Sequence, residues 1–500
     1  MSLEVIVAHH RIAIHACSCF PYHPLFLFLY LRCGQDTTME IFASNKKQRI
    51  IFHDEPDIIS NVPDCIIGHI LSYLPTKDAV RTIILSKTWE SKWTHITNLN
   101  IDDVLISERT RENRERFINF VNRVFQNLSS KRIHTFTLNL SRLFTRKENP
   151  CYFLPEWINS ALELEVQNLC VEYITNKRYN LSISLLPSTS LVHLDLNVYC
   201  NIILSSSNYF RNLKVLKLCK IRFVGDHLSN QEDMVLNFPV LELLYVKDCS
   251  WLNVKNIIIE APVLEKMTLL FEIEYNIEPW SPTFKVLSIR LHTFCYSGNL
   301  VGDIILSNPL SIVQAWINVT RSVKACKFLQ QFREVNFLKL SSSTIQGLCR
   351  DKDYASTLPM FQSLIHLELE LSSSFLYEKI LLNLLSKSPI LKNLEILFDK
   401  HESDKNLLTS KNLPHCFLSS LKDVTIRAYY WCANNLSLTK YILENTEVLE
   451  KLILKVPLTK KRQVKKELQI PNVSNSTILQ VEKMTQNELA SCLYYFHYPL

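Results

Sequence analysis

Between Val62 and Trp93 the apolar residues fall at helical spacing. Ile66, Ile67, Ile70, Leu71 and Leu74 follow i, i+1, i+4, i+5, i+8, the stripe that one helix face buries, and Pro75 stops the run. Pro63 predicts the start, because its fixed φ suits the first helical position and its missing N–H leaves no bond unmade there. Thr76 is placed to cap a second helix, Asp78 adds negative charge at its positive end, and Val80, Ile83 and Ile84 are its expected inward face. Ser86 is expected to cap a third, shorter helix with Trp89 and Trp93 one above the other. So few residues cannot bury all these side chains among themselves, and each large one moved out of water contributes about 1.5 to 3 kcal/mol. Spacing alone leaves two readings open: the surplus packs on the rest of the chain, or on another protein.

Beyond this segment, Phe117, Phe120, Val121, Val124, Phe125 and Leu128 predict a helix over 112–128 that starts a second domain. A short pattern of the form Leu-x-x-Leu-x-Leu then recurs. Its copies are Leu191/Leu194/Leu196, Leu213/Leu216/Leu218, Leu241/Leu244/Val246, Leu264/Met267/Leu269, Phe284/Leu287/Ile289, Val335/Leu338/Leu340, Leu364/Leu367/Leu369 and Leu391/Leu394/Ile396, with weaker ones at Ile133/Phe136/Leu138 and Val166/Leu169/Val171. A period of about 20 to 30 residues is that of leucine-rich repeats. One such strand-turn unit cannot cover its own apolar face, so units stack, their strands pair in parallel, and the residues between the leucines line a concave surface. His193, Asp195, Lys214 and Lys217 are expected there, with short helices or loops on the outer side and a poorly defined repeat between Leu291 and Val335. Only Cys249 holds the Asn/Cys position that follows the strand in regular repeats. Further on, the pattern predicts a strand over 421–427, a helix over 438–445 and a strand over 449–454.

At 500 residues, with 47% hydrophobic and 21% charged residues, the chain has the composition of a folded protein with a substantial core. Its fifteen cysteines are scattered and form no CxxC pair, which favours reduced, buried thiols and an intracellular setting. The aromatic stretch 20–31 is broken by Pro21, His23 and Pro24 and is too short to span a bilayer. With six glycines in all, no phosphate-cradling loop is present, nor is any HExxH, zinc-spaced Cys/His cluster or GxSxG elbow. The net charge of +7 is concentrated at Lys460, Lys461, Arg462, Lys465 and Lys466. This segment reads as a solvated helix packed by Val464 and Leu468, in preference to a nucleic-acid contact or nuclear address.

The segment 57–102, with Val62-Pro63-Asp64, Leu74-Pro75-Thr76-Lys77-Asp78 and Leu85-Ser86-Lys87-Thr88-Trp89, resembles the F-box of plant F-box/leucine-rich-repeat proteins. The resemblance implies docking on a Skp-family adaptor, which bridges to a cullin scaffold. The implied contacts are Val62, Pro63, Ile66, Ile70, Leu74, Leu85 and Trp89, with Trp93 closing the core. The chain departs from that family at Thr88 and Glu90, where arginine is usual, and at Gly68 inside the first helix, which costs about 1 kcal/mol against Ala. Leu413-Pro414-His415-Cys416-Phe417, Leu438-Thr439-Lys440-Tyr441-Ile442 and Leu449-Glu450-Lys451-Leu452 resemble the FBD domain that follows F-box and repeat segments in plants.

The expected architecture is therefore α/β. A disordered extension (1–56) precedes a three-helix F-box (57–102), an irregular leucine-rich-repeat solenoid with a curved parallel sheet (103–410), a capping FBD unit (411–482) and a tail (483–500). The polar run at 45–49 is of the kind that leads into F-boxes, and synthesis is expected to start at Met39. The resemblance implies a cytoplasmic or nuclear, non-catalytic substrate-recognition subunit of an SCF ubiquitin ligase. It would present an unknown target protein on the repeats, with no cofactor, metal or membrane. Two alternatives stand beside this reading. One is a repeat-based binding scaffold whose F-box no longer docks, and the other is a nucleic-acid-associated protein.

Overall fold

The structure, a computed structural model, describes residues 62–485 apart from 105, 107, 145–152, 174–180, 184–187, 204–209, 225–231, 253, 272–281, 301, 321–323, 351–353, 372–376, 399–412 and 469–476. The expected extension, the start at Met39 and the end of the tail lie outside the described residues. The chain divides into two compact units, Met1–Asn100 with Gln126–Lys131 and Ile101–Phe125 with Arg132–Leu500.

In the first unit, α1 (Asp64–Leu71) begins one residue later than the sequence suggests. Pro63 caps it from outside, at φ −53° and ψ 140°, with its carbonyl accepting from the Ile66 and Ile67 amides. Pro75 caps α2 (Thr76–Arg81) in the same way, at φ −52° and ψ 137°. Thr76 is therefore not the cap. It is buried, and its hydroxyl accepts from the Asn100 amide at 2.8 Å, tying α2 to the strand that follows. The expected second helix ends in a 3₁₀ turn, Thr82–Ile84, whose β-branched residues favour α-helix weakly, and the third is made as two such turns, Lys87–Trp89 and Lys92–His95, preceded by a fully extended Ser86 whose side chain makes no cap bond.

The inward face of α2 also differs from expectation. Thr76, Ala79 and Thr82 are buried, whereas Val80 is half-buried and Ile83 and Ile84 are exposed. Small side chains at i, i+3 and i+6 let α2 approach closely, and the large ones turn outward.

The second unit is built on one long parallel sheet. Its strands follow chain order, among them Thr135–Leu140, Asn168–Tyr173, His193–Ile203, Val215–Val224, Leu243–Lys247 and Lys266–Leu270, and then Thr293–Gly298, Gln314–Val319, Phe337–Leu340, His366–Leu371, Asn393–Phe398, Asp423–Ala428, Lys451–Val456 and Ile478–Lys483. Alternate residues of most of these strands are buried, as the period of two along a strand requires, whereas Lys266–Leu270 and Thr293–Gly298 bury consecutive residues and Ile478–Lys483 buries none. Just ahead of each strand a backbone amide donates to the previous repeat, from Val192 to Gln167 through to Ile478 to Glu450, at 2.8–2.9 Å at every step.

That ladder crosses the stretch 291–335 without a break, so the repeat is well formed there. Ile312/Ala315/Ile317 and Leu291/Phe294/Tyr296 are its apolar triplets, hidden from a leucine search by Ala, Phe and Tyr. The Phe284/Leu287/Ile289 triplet, in contrast, does not belong to the main sheet. Thr283–Leu287 joins Glu232–Asn237, Val254–Glu260 and Ile304–Leu306 in a second parallel sheet, and Leu287 and Ile289 are exposed. Over this part of the chain β-strands, rather than the expected helices or loops, return the chain between main-sheet strands.

The FBD-like stretch supplies the strands Asp423–Ala428 and Lys451–Val456 and the helix Ala433–Asn445, in register with the preceding repeats. Its basic segment is a helix, Lys461–Glu467, seated by buried Val464 and Leu468.

Candidate functional site

Two surfaces follow from this arrangement, one in each unit. In the first unit, α1 divides its apolar residues between two faces. Ile67 and Leu71 are buried with Ile96 and Leu99, whereas Ile66 and Ile70 are each 48% exposed and Tyr73, one turn on, is 68% exposed. Ile84 is 69% exposed in the turn after α2. Of the residues singled out from the sequence, Pro63 is exposed and Val62, Leu74 and Leu85 are half-buried. Trp89 and Trp93 are buried within the unit, where they form its floor instead of its outer surface. Spacing missed Tyr73, Ile83 and Ile84 as surface residues, since periodicity assigns large apolar groups to a core by default.

Gly68 explains how this face is held. The turn Lys92–His95 lies directly on α1 there, and a Cβ on Gly68 would fall 2.7 Å from the His95 Cβ. The same turn is pinned by Asp64, whose carboxylate accepts from the Lys92 ammonium and lies 3.6 Å from His95 Nε2. The hydrogen bond from Lys92 holds the Asp64 carboxyl below its ordinary pKa.

In the second unit, the main sheet carries two polar clusters between its buried rows. In one, Lys339 lies between Glu368 at 3.4 Å and Glu370 at 3.5 Å, and Arg427 pairs with Glu395. His366 stacks on Phe337, which stacks on Trp316. Burial acts to raise the Glu368 carboxyl, but the His366 ring and Lys339 beside it hold it below its ordinary range. His366, Glu368 and Glu395 bring donor atoms within 4.8 Å of one another, the spacing of a metal-ligand group, yet both carboxylates already have cationic partners.

The other cluster surrounds a cavity of about 340 Å³. Cys170, Asp195, Lys217 and Tyr245 form one row across four strands, and Asn139, Glu172, Asn197 and Cys219 form the next. Asn197 Nδ2 donates to Glu172 Oε1 at 3.3 Å, while the buried Oδ1 atoms of Asn197 and Asn139 have no donor among the described residues. A buried acceptor left so costs about 1–3 kcal/mol. Burial pushes the Asp195 carboxyl above its ordinary pKa, against the pull of Lys217. His193 and Asp195 are half-buried, as is Lys217, while Lys214 is exposed and pairs with Glu242.

A family model described as "At1g61320/AtMIF1, LRR domain" matches residues 124–488, and the F-box domain model matches residues 59–99. The chain belongs to the plant F-box/FBD/LRR-repeat family. Among its relatives in Arabidopsis thaliana, the F-box/FBD/LRR-repeat protein At3g14710 is 30% identical over 429 residues, 83% of this chain and 92% of its own. The FBD-associated F-box protein At5g22730 is 27% identical, over 83% of this chain and 91% of its own. F-box/LRR-repeat protein 13 is 26% identical, over 85% and 96%. In this F-box/LRR protein the F-box match falls on α1, α2 and the 3₁₀ turns, and the repeat match spans nearly all of the main sheet. Among the described residues no helix is long and apolar enough to cross a membrane.

Proposed function

We propose that this chain is the substrate-recognition subunit of an SCF ubiquitin ligase. Its F-box docks on a Skp-family adaptor, and through it on a cullin, and its repeats recruit a target protein. The observation that carries this reading is the division of α1, with Ile67 and Leu71 satisfied inside the unit while Ile66, Ile70 and Tyr73 are left in water. A partner that covers them gains about 1.5–3 kcal/mol for each fully buried side chain. Val62, Pro63, Leu74 and Leu85 border the contact, and Trp89 and Trp93 hold it rigid from beneath. Such a subunit performs no bond chemistry. It raises the rate of ubiquitin transfer by proximity, which makes a bimolecular encounter effectively intramolecular, and it works in the cytoplasm or nucleus.

The test is capture of a plant Skp-family adaptor by the full chain. Wild type binds, and joint Ile66→Ala, Ile70→Ala and Leu74→Ala substitution, with the circular dichroism unchanged, abolishes binding. Absence of binding by the folded wild type rejects the reading. It would favour a scaffold whose F-box no longer docks, a second reading supported by Thr88 and Glu90, both exposed at positions where arginine is usual in the family.

A further inference from the structure

The two polar clusters of the main sheet differ in one respect that points to a ligand. In the cluster around Lys339 and Arg427 the carboxylates of Glu368, Glu370 and Glu395 are all held in ion pairs within the fold. Among the described residues that line the 340 Å³ cavity, Glu172 and Asp195 stand with one cation, Lys217. The described lining therefore carries an excess of negative charge. Lys217 forms no ion pair among the described residues, so it neither satisfies Asp195 by direct contact nor closes the site. Tyr245 completes the wall with an aromatic ring.

We propose that this cavity receives an arginine side chain of the recruited target. The inference rests on the reading in which the repeats recruit a target, and it deepens that reading by naming what they recognise. A guanidinium carries five donors in a planar fork and no acceptor, which matches two carboxylates on adjacent strands. Glu172 and Asp195 lie diagonally across adjacent strands, Glu172 opposite Asn197 and Asp195 opposite Cys170, a separation of roughly 7–8 Å that one such fork can bridge. The guanidinium brings the second positive charge that the site lacks.

Isothermal titration of the full chain with acetyl-Gly-Gly-Arg-Gly-Gly-amide, and with the same peptide carrying neutral, isosteric citrulline, tests this directly. The arginine peptide binds saturably, and the citrulline peptide binds about tenfold or more weakly. Joint Glu172→Gln and Asp195→Asn substitution lowers the arginine peptide to the citrulline level, whereas Glu368→Gln at the other cluster leaves it unchanged. Lys217→Met, which removes the competing cation without touching the carboxylates, tightens arginine binding several-fold and serves where the double variant fails to fold. Equal binding of the two peptides, no binding of either, or weaker binding by Lys217→Met overturns the proposal. Adaptor capture measured on the same preparations separates the two readings. Lost arginine discrimination with adaptor capture intact rejects the cavity alone, and intact discrimination without adaptor capture rejects the ligase reading alone.

Discussion

The backbone of His95 lies directly against Gly68, so closely that a Cβ there would stand 2.7 Å from the His95 Cβ and nearer still to its carbonyl oxygen. The glycine is the condition for packing the turn Lys92–His95 onto α1. Gly68→Ala gains up to about 1 kcal/mol of helix propensity, but overpacking against backbone that cannot rotate away costs about 1–3 kcal/mol. The expected net effect is a lower thermal midpoint for the first unit and weaker adaptor capture. A midpoint that rises on substitution would show that the two backbones are not in contact.

Asp64 makes the same contact dependent on acid. Its hydrogen bond from Lys92, more than the general attraction of Lys92 and His95, holds the folded carboxyl below the value of 3.8. A group whose pKa is depressed on folding contributes its stability above the unfolded pKa and loses it as pH falls through the folded one. The thermal midpoints of wild type and Asp64→Asn are therefore expected to differ at about pH 5, and the gap to narrow as pH falls through the folded pKa of Asp64. Equal midpoints of the two proteins already at about pH 5 would mean that Lys92 does not bind the ionised carboxylate.

Much of this architecture is legible in the chain, and the exceptions share a cause. Positions i, i+3 and i+5 of a repeat must be apolar because they enter the core beside the strand, so Leu191, Leu194 and Leu196 announce their strand directly. Phe284, Leu287 and Ile289 meet the same spacing by chance, as a second-sheet strand alternates with the same period of two. Ala79, Thr82 and Gly68 were opaque for the opposite reason. Close packing selects them for being small, and smallness leaves no mark on hydropathy. The cavity was beyond reach because its rows join residues such as Glu172 and Asn197, 25 positions apart, that meet only through strand register.

The buried thiols give a measurable consequence of that core. Burial pushes the thiols of Cys200, Cys295 and Cys416 up to about 12, whereas Cys65 is exposed on α1. At pH 8 a pKa of about 12 leaves a thiolate fraction of roughly 10⁻⁴, against about a quarter for a free cysteine of pKa 8.5. Maleimide labelling of the folded chain, mapped by peptide mass, is expected to mark Cys65 and to reach the other three only in denaturant. Labelling of Cys295 at the rate of Cys65 would mean that the main sheet is open at its centre.

Gln331 ends the second sheet by standing in for a further strand. Its side-chain oxygen accepts from the Leu306 amide at 3.0 Å and its amide nitrogen donates to the Ile304 carbonyl at 2.9 Å, so one carboxamide occupies the ladder positions that another backbone would take. An uncovered edge strand is a template for pairing with a second chain, and this one carries exposed Ile305. Gln331→Met keeps the length of the side chain and removes both bonds. It is expected to cost about 1–3 kcal/mol, two hydrogen bonds at about 0.5–1.5 each, in urea unfolding, and to raise light scattering with protein concentration. Gln331→Glu retains an acceptor for Leu306 but sets a carboxylate against the Ile304 carbonyl, so it should lose stability while its charge suppresses association. Scattering and midpoint both unchanged in Gln331→Met would show that the edge needs no cover.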